Sequence, residues 1–557
     1  MLPAARTSGL REREPMPWNF GDLLDGLEAR LPADRPALIH GDRVTEWGEF
    51  GRRSNRLARA LLARGARPGD KVAFYLRNGP AYLETLAACF KARLVHVNVN
   101  YRYQDDELAY ILDNSDARFA VFGAEFAPHV ERIRPRLPKV EHWIQAGGTP
   151  ELGESLEALC TTGDGSPVGI ERSPDDLLFV YTGGTTGMPK GVMWRQEDLW
   201  GALGAGRNAP PNAGEAPATP EEHLARCAAF PDANRQVPAC PLMHGTGLFT
   251  AIGTLSSGGT IVTLSSPRFD AIELFETVER HRVSSVVIVG DAFARPMLRA
   301  LDENPGRFDL SSLRLIVSSG VMWSLEVKKG LLRHAPHLVL ADMFGSSEAI
   351  GFGTSVMTAA GETRTARFRI GENCRVFTED HREVRPGSGE RGFIARSGPI
   401  PLGYYKDPEK TARTFPVIDG VRYSIPGDWC TVEEDGTLTL LGRGSVCINT
   451  AGEKVYPEEV EEVLKTHPDV EDALVVGVPD PTFGQAVTAV VELAPGRALD
   501  EDALRRHVRD RLAGYKTPKR IVATAKMFRA PNGKADYARA AEFARETLGL
   551  GGESRTG

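Results

Sequence analysis

Short apolar runs along the chain alternate with segments whose apolar residues recur at helical spacing. The predicted strands are residues 72–76, 94–99, 283–289, 313–317 and 338–341. The predicted helices include 80–91, 324–333 and an earlier helix that ends at Gly65, whose apolar face is formed by Phe50, Leu57, Leu61 and Leu62. Because the strands of parallel sheets are buried on both faces, this alternation predicts an α/β fold built on parallel sheets.

Two regions break this rhythm. Residues 201–240 are rich in Ala, Pro, Gly and Asn, and we interpret them as a long irregular insertion. Residues 370–440 combine short apolar runs with Pro-Gly and Asp-Gly turns, which predicts a small β-rich part after the parallel sheets.

A separate unit is predicted after Gly442. Pro457 is placed at the first position of a helix, followed by Glu458 and Glu459, whose negative charge suits the start of a helix. The elements predicted after it are strands at 473–478 and 486–493 and a helix at 504–512. A chain of 557 residues exceeds the usual size of one domain, so we predict an N-terminal domain over 16–442 and a smaller α+β C-terminal domain over 443–545.

Composition narrows the classes of function. Hydrophobic residues make up 41% and charged residues 25% of the chain, as in ordinary globular proteins, and a net charge of −7 gives no reason to expect a nucleic-acid partner. No apolar stretch reaches the roughly 20 residues that span a bilayer. The cysteines lie apart, without CxxC pairs or zinc spacing. We therefore expect a cytoplasmic protein with free thiols, in which residues 1–15 are an extension ahead of Met16.

The segment Tyr181–Gly191 is the strongest chemical signal. It follows a predicted buried strand at 177–181 and contains four glycines, three threonines and one lysine. Glycines let backbone N–H groups turn inward, while the hydroxyls add donors and the lysine adds charge, so the segment suits a polyphosphate. A Walker A loop would end in Gly-Lys-Ser/Thr ahead of a helix, whereas this segment ends in Pro-Lys-Gly. The alternative interpretation is a flexible surface linker.

Further motifs follow this loop in order. They are Asp342-Met343-Phe344-Gly345-Ser346-Ser347-Glu348, Tyr423-Ser424-Ile425-Pro426-Gly427-Asp428, Leu441-Gly442-Arg443 and Pro531-Asn532-Gly533-Lys534. Together with the loop, they resemble the signature motifs of the adenylate-forming superfamily of acyl-CoA synthetases, luciferases and peptide-synthetase adenylation domains. The resemblance spans residues 181–534 and implies ATP-dependent activation of a carboxylic acid as an acyl-adenylate.

The resemblance implies a role for each motif. The residues expected to bind ATP are Thr182, Gly183, Gly184, Thr185, Thr186, Gly187, Lys190, Ser319, Gly320, Asp342, Phe344, Gly345, Ser346, Ser347, Asp428 and Arg443. Thr185 and Glu348 would hold Mg²⁺ on the phosphates, since that ion prefers hard oxygen ligands. Phe344 would stack on adenine, and Asp428 would accept hydrogen bonds from the ribose. Taken without its neighbours, Glu348 is more often a solvated acid, and the alternative interpretations are a core residue for Phe344 and a turn residue for Asp428.

Lys534 is expected to be the catalytic cation of adenylation, acting with Glu348. An ammonium group placed beside the α-phosphate lowers the barrier because charge builds on the phosphoryl oxygens. Without the resemblance, a lysine in such a loop is more often a solvated charge.

The resemblance also implies a mobile C-terminal domain, whose segment Ala451, Gly452 and Glu453 would face CoA in a second pose. Here the chain departs from many relatives, with Ser445 in place of Asp or Lys and Ala451 in place of Gly. These departures concern the hinge and the CoA channel.

We predict an acyl-CoA ligase that uses ATP, CoA and Mg²⁺ and acts on a long-chain fatty acid or a steroid side-chain acid. The strings 192–195, 442–449 and 455–461 look most like bacterial ligases for such acids. His244 and Gly320, with Gly245 and Gly247, are expected to border the acid pocket, although His244 is equally a structural histidine. The alternatives are an adenylation enzyme that loads a carrier protein in trans and a silent nucleotide-binding protein. The sequence leaves the oligomeric state open, a homodimer included.

Overall fold

The computed structural model describes residues 18–103, 105–182, 189–207, 215–230, 233–321, 323–361, 367–443, 448–450, 453–455, 457–480, 484–512, 514–530 and 533–550. Several predicted features therefore lie outside the described residues: the extension 1–15, Gly183, Gly184, Thr185, Thr186, Gly187, Ser445, Ala451 and Gly452.

The strands, numbered along the chain, are β1 (Pro36–His40), β2 (Arg43–Glu46), β3 (Lys71–Tyr75), β4 (Val95–Asn98), β5 (Ala117–Gly123), β6 (His142–Ala146), β7 (Glu154–Ser155), β8 (Leu177–Thr182), β9 (Lys190–Arg195), β10 (Arg235–Pro238), β11 (Thr260–Thr263), β12 (Ser285–Ile288), β13 (Leu315–Ser319), β14 (Val339–Ser346), β15 (Ala349–Met357), β16 (Arg367–Ile370), β17 (Cys374–Phe377), β18 (Arg391–Arg396), β19 (Gly403–Tyr404), β20 (Val417–Ile418), β21 (Val421–Arg422), β22 (Asp428–Val432), β23 (Thr437–Arg443), β24 (Ile448–Thr450), β25 (Glu453–Val455), β26 (Val470–Asp480), β27 (Gly484–Leu493) and β28 (Arg520–Thr524). The α-helices are α1 (Phe20–Arg30), α2 (Trp47–Ala63), α3 (Pro80–Lys91), α4 (Asp105–Asn114), α5 (Ala127–Ile133), α6 (Leu156–Thr161), α7 (Gln196–Ala202), α8 (Pro220–Ala229), α9 (Gly245–Leu255), α10 (Ala271–His281), α11 (Asp291–Glu303), α12 (Leu325–His334), α13 (Pro408–Thr414), α14 (Pro457–Lys465), α15 (Glu501–Arg509) and α16 (Tyr537–Thr547).

The largest sheet joins a parallel half to an antiparallel half. Its strand order is β17-β18-β22-β23-β16-β15-β14-β13-β12-β10-β11-β1-β2, and the pairs from β14 through β13, β12, β10 and β11 to β1 are parallel. Helices α10, α11 and α12 pack on one face of the parallel half, where their apolar residues share a core with β12 and β13. The antiparallel half is the predicted β-rich part, which the structure confirms.

A second sheet has the order β19-β9-β8-β4-β3-β5-β6-β7, with parallel pairs from β8 through β4, β3 and β5 to β6. Helix α9 lies between the two large sheets, because its Leu248, Ile252 and Leu255 share one core with Val180 of β8 and Ile261 of β11. The opposite face of α9 is thereby left to border the space between the sheets.

The last part of the chain forms a smaller unit with its own sheet. Strands β25-β24-β27-β26 are joined by β28 on the side of β27, and α14, α15 and α16 accompany them. Its core clusters contain residues from Ile448 onward. The mixed α/β fold with a large N-terminal domain and a smaller C-terminal domain is confirmed, while the boundary at Gly442 stays a prediction.

The predicted irregular insertion at 201–240 is wrong over part of its length. Helix α8 occupies residues 220–229, and Thr219 caps it by accepting a hydrogen bond from the Glu222 backbone N–H (3.0 Å). Pro220 at the first helical position and two acids in the first turn are ordinary start signals that the abundance of Ala and Pro obscured. Strand β10 then enters the middle of the largest sheet.

Among the helices that the structure describes, none combines the length and the apolar character needed to cross a membrane.

Candidate active site

A cavity of about 1940 Å³ opens between the two large sheets and the C-terminal unit. The carboxyl ends of β8, β13 and β14, the first turn of α9 and the loop before α16 border it, as expected for a ligand site in an open α/β sheet. The predicted site residues that line it are Thr182, His244, Ser319, Gly320, Phe344, Gly345, Ser346, Ser347 and Lys534. The structure thus brings together residues that are up to 352 positions apart in sequence (182 to 534).

Gly320 and Lys534 meet in this cavity. Gly320 has φ +90°, and a β-carbon added there would lie 4.0 Å from Cε of Lys534 and 3.7 Å from Oγ1 of Thr246. The backbone conformation favours glycine, and the missing side chain leaves space beside the lysine. Lys534 is held by a tight turn in which the Ala530 N–H donates to the Lys534 carbonyl (2.7 Å).

The turn that carries Lys534 rests on the N-terminal domain. Gly533 has φ +77°, and a β-carbon there would lie 2.9 Å from Cβ of Ala292 in α11. Farther along the same helix, Nη2 of Arg299 forms an ion pair with Oε1 of Glu471 (2.6 Å). The glycine therefore permits a close approach of the two domains at the point where the lysine enters the cavity.

His244 is the residue before α9 and faces the cavity next to Lys534. Burial, reinforced by the positive charges of Lys534 and Arg102, lowers the pKa of His244 to about 3. Its Nε2 is buried and has no hydrogen-bond partner among the described residues. The imidazole is therefore neutral near pH 7 and presents a ring nitrogen to whatever occupies the cavity.

Two asparagines that the sequence analysis missed hold the segment ahead of His244. Nδ2 of Asn98 donates to the carbonyls of Met243 (2.6 Å) and Tyr181 (3.0 Å), and its Oδ1 accepts from the Tyr181 N–H (2.6 Å). Asn78 donates to the Cys240 carbonyl (3.0 Å) and accepts from the N–H of Leu242 (2.7 Å). A polar residue at the carboxyl end of the apolar strand β4 was the available signal for Asn98.

The predicted phosphate loop connects two paired strands. Thr182 at the end of β8 is the register partner of Lys190 at the start of β9, so residues 183–189 join a hairpin. Nζ of Lys190 forms an ion pair with Oδ2 of Asp407 (3.0 Å). The hydrogen bond that Lys190 donates to Asp407 raises the pKa of Lys190, which keeps the lysine cationic. Asp407, the N-cap of α13, was not predicted.

Glu348 lies where β9, β14 and β19 come together. Its Oε1 accepts a hydrogen bond from the hydroxyl of Tyr404 (2.8 Å), and its carbonyl accepts one from the Ser424 hydroxyl (2.7 Å). Nε1 of Trp194, on β9, donates to the carbonyl of the preceding residue, Ser347 (2.9 Å). Glu348 is therefore a buried, oriented carboxylate in the turn between β14 and β15, close to β9, the strand that follows the predicted phosphate loop. Tyr404 is a further residue that the sequence analysis missed.

Phe344 and Asp428 occupy the antiparallel part of the site. Phe344 lines the cavity and packs against Phe352 and Phe368, with ring centroids 5.3 and 5.4 Å away, so it is both a core residue and a wall of the site. Asp428 is buried at the start of β22, and its register partner is Arg443 at the end of β23. The two residues predicted to bind ribose are thus neighbours on adjacent strands.

Asp342 and Gly247 are held away from the cavity. Asp342 is buried on the face of β14 opposite to Ala341 and Met343, where its Oδ2 is 3.0 Å from Nζ of Lys328. Burial raises the pKa of Asp342 to about 6, opposed by Lys328. A β-carbon at Gly247 would lie 2.6 Å from the Pro241 carbonyl oxygen, so this glycine serves close packing. The expectations that these two residues border ATP and the acid are not supported by their positions.

The predicted CoA-facing segment falls on a hairpin of the C-terminal unit. Thr450 of β24 is the register partner of Glu453 of β25. After this hairpin, α14 brings Glu458 against Gly442, where any side chain would overlap the carboxylate of Glu458. Gly442 also has φ +101°, so this position near the end of β23 requires glycine on two grounds.

Within the described residues, no group of three or more His, Cys, Asp and Glu side chains is arranged to hold a metal ion by itself.

Known proteins are similar to this one over nearly the whole chain. The profile of the AMP-binding enzyme family matches residues 27–405, and that of the AMP-binding enzyme C-terminal domain matches residues 459–534. A medium/long-chain fatty acid–CoA and 3-oxocholest-4-en-26-oate–CoA ligase of Mycobacterium marinum is 42% identical over 531 residues, covering 93% of this chain and 95% of the relative. A 3-oxocholest-4-en-26-oate–CoA ligase of Rhodococcus rhodochrous is 41% identical over 547 residues, covering 96% and 97%.

The fold has solved counterparts. The crystal structure of an anthranilate CoA ligase in complex with anthranoyl-AMP superposes with a TM-score of 0.83 at 23% sequence identity, covering 96% of this chain and 99% of the other. At this identity the likeness establishes the shared fold.

Proposed function

Because the chain belongs to the AMP-binding enzyme family, we propose that it is an ATP-dependent ligase that joins a carboxylic acid to CoA through an acyl-adenylate. The observation that carries this proposal is the position of Lys534, which reaches from the C-terminal domain into a cavity lined by Thr182, Gly320 and Phe344. A cation at that place suits a reaction in which negative charge builds on a phosphoryl group.

In the first half-reaction a carboxylate oxygen of the acid forms a bond to the α-phosphorus of ATP, and the bond from that phosphorus to the bridging oxygen breaks. Pyrophosphate leaves with the bonding electrons. Lys534 stabilises charge on the α-phosphoryl oxygens. His244 is neutral and lies between the lysine and the start of α9, where its ring nitrogen orients the acid carboxylate or the acyl carbonyl.

Mg²⁺ bound to the ATP phosphates would supply charge neutralisation in this half-reaction. Glu348 fits that ion, because it offers a carboxylate that the Tyr404 hydroxyl orients in the turn between β14 and β15. Thr185 is the second proposed ligand and lies outside the described residues.

In the second half-reaction the CoA thiolate attacks the acyl carbonyl, and AMP leaves. Lys534 has no task in this step, so we propose that the C-terminal domain turns to bring the segment Ala451–Glu453 to the cavity instead. The contacts of the present pose include Gly533 on Ala292 and the Arg299–Glu471 ion pair. Such contacts suit a domain that docks reversibly.

The proposed substrate is a medium- or long-chain fatty acid or a steroid side-chain acid. The support is twofold: the relatives' names describe such acids, and the cavity continues along α9 with room for a bulky apolar tail. The relatives' names give no support to loading of a carrier protein, the alternative that the sequence left open.

The test is a panel of acids assayed for AMP release that requires both ATP and CoA. We expect release with octanoate, palmitate and a sterol-derived side-chain acid, and slower release with acetate and benzoate. Release of AMP that proceeds with a carrier protein and fails with CoA would contradict the proposal.

A further inference from the structure

The cavity extends well beyond the adenylation centre, along one face of α9. The residues of α9 and its C-terminal turn that line it recur at helical spacing: Thr246, Phe249, Thr250, Gly253, Thr254 and Ser257. The facing wall is β13, whose Leu315, Val317 and Ser319 all line the cavity. We call this space between α9 and β13 the tail channel.

A row of residues near the amino ends of the strands borders the channel far from the adenylation centre. Gln236 of β10 is the register partner of Ser285 of β12, which pairs in turn with Leu315 of β13. Leu315 is four residues before Ser319, so this row lies about 13 Å from the adenylation centre, at about 3.3 Å per residue. The helix gives a similar length, about 14 Å for the nine residues from Gly245 to Thr254 at about 1.5 Å each.

Most polar side chains at this end are satisfied by one another. Oδ1 of Asn234 accepts hydrogen bonds from the hydroxyls of Ser284 and Ser285 (both 2.8 Å), and its Nδ2 donates to Oγ1 of Thr254 (3.2 Å). These groups form a closed network that ties the end of α9 to the strands. They have little capacity left for a ligand.

Gln236 differs from them. It is 5% exposed, lines the channel, and its Oε1 is buried without a hydrogen-bond partner in the described part of the chain. A buried amide oxygen without a partner is unfavourable unless a ligand supplies the missing hydrogen bond. A purely hydrocarbon tail cannot supply one.

We propose that Gln236 recognises a hydroxyl group in the distal part of the acid, so that the preferred substrates carry that hydroxyl about 13 Å from the carboxylate. This rests on the proposed function and narrows its substrate class from apolar acids in general to hydroxylated ones. Oε1 of Gln236 accepts a hydrogen bond from a hydroxyl, whereas a carbonyl has no hydrogen to donate and leaves that oxygen without a partner.

The experiment compares acids that differ only in the distal hydroxyl. The pairs are ω-hydroxydodecanoate with dodecanoate, and a steroid side-chain acid with and without a ring hydroxyl. kcat/KM is measured for CoA-dependent AMP release by the unmodified protein, Gln236→Leu and Gln236→Met. We expect the hydroxylated member of at least one pair to be preferred by the unmodified protein, and either substitution to lower that preference about tenfold or more.

Gly253→Ala is the matched control. A β-carbon at Gly253 would meet no atom within 4 Å, so the added methyl group enters the channel without touching the amide. It should slow both members of a pair together and leave their ratio unchanged. Two differently shaped substitutions at Gln236 guard against a folding defect, which octanoate turnover would reveal.

Ratios equal within about twofold in the unmodified protein and in both Gln236 variants, with good turnover of dodecanoate, would overturn the inference while leaving the ligase proposal intact. Absence of AMP release with every acid would overturn the ligase proposal and this inference with it.

Discussion

The side-chain amide of Asn98 donates a hydrogen bond to the main-chain carbonyl of Met243 at 2.6 Å, across 145 residues of sequence. The same side-chain amide also hydrogen-bonds to the backbone carbonyl and the backbone N–H of Tyr181, the last buried residue before the phosphate loop. One asparagine thus fixes the phosphate-loop strand relative to the segment that carries His244.

Replacing Asn98 should therefore affect stability and adenylation together. Asn98→Ala leaves buried backbone groups without partners, which we expect to lower the free energy of unfolding by about 2–4 kcal/mol and to reduce kcat of pyrophosphate exchange. Urea unfolding and exchange kinetics measure the two effects. Asn114→Ala is the control, because Asn114 bonds only the Tyr181 hydroxyl among its described partners (2.8 Å). An Asn98→Ala protein with an unchanged rate of pyrophosphate exchange would show that the hydrogen bonds of Asn98 do not position the site.

Lys534→Ala should separate the half-reactions. We expect pyrophosphate exchange to fall by about 100-fold or more, because a preorganised cation at the developing charge is lost. Transfer from supplied acyl-AMP to CoA should stay largely intact, since the lysine serves only the first pose. The exposed Lys526 gives the control substitution Lys526→Ala. Equal losses in both half-reactions would remove Lys534 from its assigned role.

Glu348→Gln should raise the Mg²⁺ concentration needed for half-maximal exchange without unfolding the protein. The amide oxygen still accepts from Tyr404, so the change removes charge and keeps shape. Tyr404→Phe is the complementary variant, which keeps the carboxylate and removes its hydrogen bond. Mg²⁺ titrations of the three proteins measure the effect, and an unshifted requirement in Glu348→Gln would place the ion elsewhere.

Asp342→Ala should damage the fold and leave ATP recognition unchanged. It leaves the buried ammonium of Lys328 without its ion pair, which we expect to cost about 3–5 kcal/mol of unfolding free energy. The double variant Asp342→Leu, Lys328→Met should recover most of that loss. The KM for ATP, measured in the surviving folded protein, should stay within about twofold. A large rise in KM with full stability would return Asp342 to the ATP site.

Glu458 should make the stability of the folded protein decrease as pH rises. Burial raises its pKa, with Glu461 and Asp428 adding repulsion and Lys465 opposing it. A carboxyl that holds its proton more tightly in the folded protein stabilises it at low pH, and this stabilisation is lost as pH rises above the ordinary value of 4.5. Glu458→Gln mimics the protonated form, so its Tm relative to the unmodified protein should increase with pH.

The control for that experiment is Glu459→Gln on the same helix. Glu459 forms an ion pair with Lys516, so its neutralisation should bring no gain in Tm at high pH. A Tm difference for Glu458→Gln that stays constant across pH 5 to 9, taken as an approximate range, would show that Glu458 is ionised throughout.

The apolar pattern was sufficient for elements whose burial follows from their own sequence. Helix α3 occupies the predicted residues 80–91, and β3, β4, β12, β13 and β14 lie within a few residues of their predicted positions. Composition misled over residues 201–240, because a high content of Ala and Pro concealed the cap at Thr219. Strands and helices with a regular apolar pattern were predictable, whereas the capping residue Thr219 at the start of α8 was overlooked.

The chemistry of the site was predictable only as far as motifs reach. Motif position alone placed Asp342 beside ATP, although strand alternation with Ala341 and Met343 already put its side chain on the other face. The Asn98–Met243 and Tyr404–Glu348 hydrogen bonds join segments that are distant in sequence, so no local sequence pattern predicts them. Pairings of that kind depend on the tertiary arrangement of the two sheets.

The free space beside Gly253 affects how the substrate preference of this enzyme can evolve. Adding a methyl group there shortens the space for the tail and strengthens the helix by about 1 kcal/mol, so a lineage can turn to smaller acids in one stabilising step. A change toward longer acids is harder, because α9 packs between both large sheets and its Thr254 is hydrogen-bonded to Asn234. Laboratory selection for shorter acids should accordingly recover replacements of Gly253 first, whereas selection for longer ones should find solutions elsewhere.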